Sequence, residues 1–247
     1  MKALRNLMLV AVVVGTMTMM SARSFAGPLL PDFPSVWTVG QAVAGQTSLP
    51  VTSDDDGPPA GPLIIDWIVA YLGGNVWGYY YQIENTTGTT VFGFTISTVG
   101  GPPFFAAGVI SDLDLDSTFT DPIYGTTILG HDASNYGNLG ADPPYEPPPE
   151  TEGAVSGIQN PILPPDLSAT GVSWVFASPK LGTGYESSIL VAYANVPPMY
   201  GTAVAVNSPV TWRGGGIPVP SPEPSAVVLM TIGALVGGLL TRRRSRK

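Results

Sequence analysis

The sequence predicts an all-β protein: an antiparallel β-sandwich ectodomain, flanked by an N-terminal signal peptide and a single C-terminal transmembrane helix. Three observations carry that expectation. The 247 residues include 30 glycines and 26 prolines, a content that interrupts helices and favours short strands joined by turns. Short apolar runs with strand-like texture, several of them alternating with period two, recur between Ile64 and Trp212, and none shows a sustained helical period. Long apolar stretches free of charge occur only near the two ends, Leu7 to Met20 and Ser225 to Thr241.

The first 26 residues read as a signal peptide. Lys2 and Arg5 precede the apolar run, and Ser24-Phe25-Ala26 is a small-x-small pattern that places cleavage between Ala26 and Gly27. The run is shorter than the roughly 17 to 25 residues needed to span a bilayer, so it reads as a leader and not as a membrane helix.

Residues 27–212 read as the ectodomain. In Val76 to Glu84, VWGYYYQIE, the residues Tyr79, Tyr81 and Ile83 share one strand face and Tyr80, Gln82 and Glu84 the other. Asn85-Thr86-Thr87-Gly88 is expected to turn this strand into a hairpin whose return strand lines one face with Phe92, Phe94 and Ile96. Further strands are expected at 64–71, 104–110, 125–129, 172–177, 188–194 and 203–212, enough for two packed sheets. Pro50 to Pro62, with Asp54-Asp55-Asp56, and the proline-rich acidic stretch Asp142 to Glu152 read as irregular surface excursions.

Residues 213–224 are expected to form a Gly/Pro linker, from Gly214-Gly215-Gly216 through Pro222-Glu223-Pro224. Residues 225–241, SAVVLMTIGALVGGLLT, follow as a short transmembrane helix, and 242–247 as a basic cytoplasmic tail carrying Arg242, Arg243, Arg244, Arg246 and Lys247 as a stop signal. Gly233 and Gly237 form a GxxxG pair that allows close approach of another membrane helix.

Charge is strongly segregated. Between Gly27 and Thr241 only Lys180 and Arg213 oppose all 18 acidic residues, a formal charge of 2 − 18 = −16 hidden within the net −8. Such a body is repelled by phosphate backbones, which argues against nucleic acid as a partner. With no cysteine there are no disulfides, thiolate metal sites or cysteine catalysis, and the single histidine, His131, excludes a multi-histidine metal cage.

At the C-terminus, Pro222-Glu223-Pro224, a small-residue-rich apolar helix and Arg242-Arg243-Arg244 stand in that order, and together they resemble the PEP-CTERM sorting signal of Gram-negative bacteria and their relatives. The resemblance covers about the last 27 residues. It implies export, processing near the tripeptide by a membrane-embedded exosortase-like enzyme, and association with exopolysaccharide. The region around Tyr80, Gln82 and Asn85-Thr86, and Trp174-x-Phe176 followed by Gly184 and Ser188, is also similar to ectodomains that precede such tails.

Candidate chemistry in the ectodomain is sparse. Asp112, Asp114 and Asp116 begin like a calcium loop, but Ser117 and Ile123 stand where its glycine and bidentate glutamate belong, and the alternation suits a solvated strand face with Leu113 and Leu115 inward. No cofactor is expected. Trp77, Tyr79, Tyr80 and Tyr81 form a possible sugar-stacking group, although aromatics at strand spacing more often build a core. The sequence reading is therefore a non-enzymatic cell-surface or extracellular-matrix protein, exported, membrane-anchored until processed, and associated with polysaccharide. The alternative is a secreted carbohydrate-active enzyme of the glycoside hydrolase type, working through paired carboxylates.

Overall fold

A computed structural model describes residues 33–52, 61–98, 104–130, 157–207 and 210–221. The leader expected over 1–26 with Ala26 and Gly27, the Pro222-Glu223-Pro224 motif, the apolar stretch 225–241, the basic residues 242–247, His131 and the acidic stretches Asp54–Asp56 and Asp142–Glu152, expected as surface excursions, lie outside the described residues. Among the described residues the regular structure is entirely β, and no helix is long and apolar enough to cross a membrane.

Fourteen strands follow one another among the described residues: β1 (Ala42–Leu49), β2 (Leu63–Gly73), β3 (Val76–Asn85), β4 (Gly93–Ser97), β5 (Ala106–Ile110), β6 (Phe119–Thr120), β7 (Thr127–Ile128), β8 (Ile158–Gln159), β9 (Asp166–Ser168), β10 (Gly171–Val175), β11 (Tyr185–Ser187), β12 (Ile189–Ala194), β13 (Pro198–Asn207) and β14 (Val210–Pro220). The first sheet runs β1-β2-β3, and β3 then pairs with both β11 and β12, which are flanked by β8 and β5 respectively. The second runs β14-β13-β4-β10-β9, and β6 pairs with β7 in a small ribbon. Every pairing is antiparallel except β8 with β11.

The tightest reversal lies between β2 and β3, where Gly74 and Asn75 have φ of 61° and 62°. Two successive positive φ values match the twist of a two-residue hairpin, and glycine and asparagine tolerate them best. The hairpin expected after Asn85 does not form. β3 belongs to the first sheet and β4 to the second, so residues 86–92 carry the chain from one sheet to the other. Buried Asn85 pins this crossing: its Nδ2 donates to the carbonyls of Thr89 (2.9 Å) and Leu181 (3.0 Å), and its Oδ1 accepts from the Thr87 hydroxyl at 2.7 Å. Phe94 and Ile96 are buried as expected, whereas Phe92 is exposed.

A second correction concerns the linker expected over residues 213–224. Residues 213–220 are the second half of β14, and the expected strand 203–212 is in fact parts of β13 and β14. Edge position makes this possible. Pro218 and Pro220 are spaced by two, so both missing N–H groups point to the side away from β13, where the ladder requires no donor.

The main core draws on both sheets. Tyr79, Tyr81 and Ile83 of β3 face it together, as the alternation predicts, alongside Trp67, Phe94, Trp174 and Trp212. The Tyr81 ring lies 6.4 Å from Phe94 and 6.2 Å from Trp174, in the edge-on arrangement that aromatic pairs favour. The two sheets are also tied at their edges. β1 pairs with β2, and after Pro50 the chain passes to β14, where Thr52 N–H donates to the Thr211 carbonyl (2.8 Å) and Arg213 N–H to that of Pro50 (3.1 Å). Toward the opposite edge, Trp174 Nε1 donates to the Gly108 carbonyl of β5 at 3.0 Å.

Gly45 sits beneath the Trp67 indole, and a Cβ there would lie 2.3 Å from a ring carbon. Gly45→Ala is therefore expected to lower unfolding stability by about 1–3 kcal/mol through overpacking. Urea denaturation checks this: the midpoint should fall at constant slope, and an unchanged midpoint would mean that the ring yields at no cost.

Candidate functional site

The outer face of the first sheet is divided into two ends. Tyr80, Ile68, Ala44, Val191 and Tyr193 form an apolar end, covered by Leu115, Phe119 and Ile128 from the segment that carries β6 and β7. The register places Gln46, Asp66 and Gln82 in one polar row beyond it, with Glu84 opposite Glu186 in the next.

Asp121 fastens the covering segment to the sheet. Although only 1% exposed, its carboxylate accepts four hydrogen bonds. Tyr80 and Tyr193 hydroxyls donate to Oδ2 at 2.7 and 2.8 Å, and the backbone N–H groups of Ile123 and Tyr124 donate to Oδ1 at 2.9 and 2.6 Å. Burial first, and then the neighbouring carboxylate, hold both phenols far above their usual pKa, so they remain protonated donors. Four donors occupy the roughly four lone-pair directions of a carboxylate. It is a structural pin.

At the polar end Gln82 is the organising residue. Its Oε1 accepts the Leu115 N–H at 2.8 Å, and its Nε2 donates to the Ser187 carbonyl (2.9 Å) and to Glu186 Oε2 (3.3 Å). Gln46 Nε2 donates to Asp66 Oδ1 at 2.9 Å. Glu186 is pushed up from the usual 4.5 to about 7, by burial first and then by the negative charges of Asp114, Glu84, Asp116 and Asp66. The sequence pattern gave no sign of this gathering, because five carboxylates reach it from β2, β3, β11 and the 111–118 turns.

The calcium candidates are arranged differently from the expectation. Asp112, Asp114 and Asp116 occupy turns and not a strand, and Leu113 is exposed while Leu115 is buried. Asp112 adopts φ 58° and accepts from Asn160 Nδ2 at 3.2 Å, whereas Asp114 Oδ1 accepts the Asp116 N–H at 2.9 Å. Among the described residues no group of three or more acidic or histidine side chains is placed to hold a metal ion. The aromatic candidates are core residues: Tyr79 and Tyr81 donate to the carbonyls of Val196 (3.0 Å) and Pro218 (2.7 Å), Tyr80 is bound to Asp121, and Trp77 is 8% exposed. Among the described residues the exposed aromatic rings are instead Phe92, Phe105 and Tyr124.

Asp121→Ala would strand two phenol hydroxyls and two backbone donors, and is expected to cost about 3 kcal/mol or more, with Asp121→Asn milder. Chemical denaturation measures both, and equal stabilities would remove the pin. The raised Glu186 gives a pH dependence of defined sign. The folded state binds its proton more tightly than the unfolded chain, so this contribution is complete below about pH 4.5 and is lost as pH rises through about 7. Because Glu186 is half-exposed, screening reduces the effect to on the order of 1 kcal/mol. Thermal midpoints between pH 5 and 8 should fall less steeply in Glu186→Gln than in the wild type; parallel curves would contradict the assignment.

In comparison with known proteins, no family model, no curated protein and no solved structure matches the chain.

Proposed function

We propose that this is an exported cell-surface or extracellular-matrix protein, non-enzymatic and associated with exopolysaccharide, whose antiparallel β-sandwich ectodomain is delivered by a PEP-CTERM sorting tail. The observation that carries this reading is the order of features at the C-terminus: Pro222-Glu223-Pro224, then an uncharged stretch of 17 residues from Ser225 to Thr241, then five basic residues in the last six. In this reading the stretch spans the membrane, the basic cluster stays on the cytoplasmic side, and an exosortase-like enzyme cuts near the tripeptide. The leader before Gly27 supplies export with the same orientation.

The end of β14 refines the picture. Pro220 is the last residue of the strand, and Ser221 N–H donates to the Pro197 carbonyl at 2.9 Å, so the folded ectodomain reaches to the residue before the motif. Cleavage near Pro224 would release a domain with almost no trailing chain.

Mass spectrometry of the protein from its native host tests the reading. A mature species beginning near Gly27 and ending near Pro224 is the expected result. Peptides containing Arg242 to Lys247 in the surface fraction would identify a permanent single-span anchor instead.

A further inference from the structure

Phe105 and Tyr124 are 46% and 38% exposed and come from different segments, yet both pack against the same buried ring, Tyr193. The Phe105 ring centroid lies 6.4 Å from that of Tyr193 with the planes 31° apart, and the Tyr124 centroid 5.5 Å away at 53°. Both exposed residues are held by backbone bonds. Phe105 N–H donates to the Tyr193 carbonyl at 2.9 Å, and the Tyr124 turn is fixed by its own N–H to Asp121 and by Gly125 N–H to the Asp121 carbonyl at 2.9 Å. The same carboxylate binds the Tyr193 hydroxyl, so one buried group sets the turn and the central ring together. Exposed Ile123 (62%) adjoins them. Phe92, the remaining exposed aromatic among the described residues, differs in having the Lys180 ammonium 5.9 Å from its ring centroid.

Resting on the reading that the partner is a polysaccharide, we propose that Phe105 and Tyr124, steadied by Tyr193, form a sugar-stacking platform for a polymer containing free amino sugars. Rings that are exposed and already held in place offer contact area with little ordering cost on binding, which a mobile loop would not. The axial C–H face of a pyranose matches an aromatic face, and the Tyr124 hydroxyl adds a polar group at its rim. Charge selects among sugars. A segment with 18 acidic residues against Lys180 and Arg213 attracts ammonium groups and repels uronates and sulfates.

The test uses the purified full chain, calorimetry at about 0.15 M salt to screen diffuse attraction, and three probes: a β-1,4-glucosamine hexamer, its fully N-acetylated form and an alginate oligomer. The glucosamine hexamer should bind most tightly. The double variant Phe105→Ala/Tyr124→Ala should weaken its binding at least tenfold while a cooperative thermal transition above the assay temperature shows that it remains folded. Phe105→Leu/Tyr124→Leu, which retains apolar bulk without rings, should lose binding likewise and serves if the alanine pair unfolds. Wild-type binding that survives in the leucine pair would overturn the platform while leaving the polysaccharide reading intact. Equal binding of the acetylated hexamer would overturn the amine selection, and binding of none of the three probes would overturn the polysaccharide reading and the platform together.

Discussion

A buried polar atom needs a partner, and strand β3 imposes that requirement three times in succession through Tyr79, Tyr80 and Tyr81. Inside a sheet each hydroxyl must find an acceptor beyond the strand itself, since the ladder has already used the neighbouring backbone groups. Tyr81 reaches the Pro218 carbonyl, Tyr79 that of Val196, and Tyr80 the carboxylate of Asp121. Three parts of the molecule are thereby placed by one strand: the proline-rich edge, the turn before β13 and the segment over the outer face.

The edge is the part most dependent on this arrangement. Glycine and proline make β14 a poor strand in isolation, and its outward carbonyls would be exposed to pairing with another chain. Tyr81 occupies that of Pro218, and the Thr47 hydroxyl occupies that of Gly216 at 2.8 Å. The passage of β1 onto β14 at Val51 covers the edge further up. The last strand is therefore held by its ladder to β13 and, on the other side, by side chains of the first sheet, and it carries the fold directly to the proposed processing motif.

The outer face of the first sheet combines two unlike environments along the same strands. Its apolar end requires a cover, and Asp121 secures one by satisfying two phenols and two amides at once. Its polar end collects carboxylates among which burial first, and then mutual repulsion, raises Glu186, with Gln82 bridging the sheet and the covering turn.

Much of this was legible in the sequence, for local reasons. Period-two alternation separated Tyr79, Tyr81 and Ile83 from Tyr80, Gln82 and Glu84 correctly, because side chains on a strand alternate faces whatever the fold around them. The all-β class followed from glycine and proline content, whereas the export and sorting signals proposed for the two ends lie outside the described residues. What only the tertiary structure decided is which partner each strand takes. Asn85-Thr86-Thr87-Gly88 has the composition of a hairpin turn but serves a crossing between sheets, because Asn85 finds its acceptors at Leu181 as well as at Thr89. Gly214 to Pro220 has the composition of a linker but forms a strand, because β13 offers it a ladder that needs no donor from its prolines, and distant Tyr81 and Thr47 satisfy the carbonyls of Pro218 and Gly216. The Asp121 pin and the Glu186 cluster were equally hidden, since each joins residues more than 100 positions apart in the chain, Tyr80 with Tyr193 in the first and Gln82 with Glu186 in the second. Composition and periodicity report what a segment prefers alone; pairing is set by which hydrogen bonds and apolar faces the rest of the chain leaves to be satisfied.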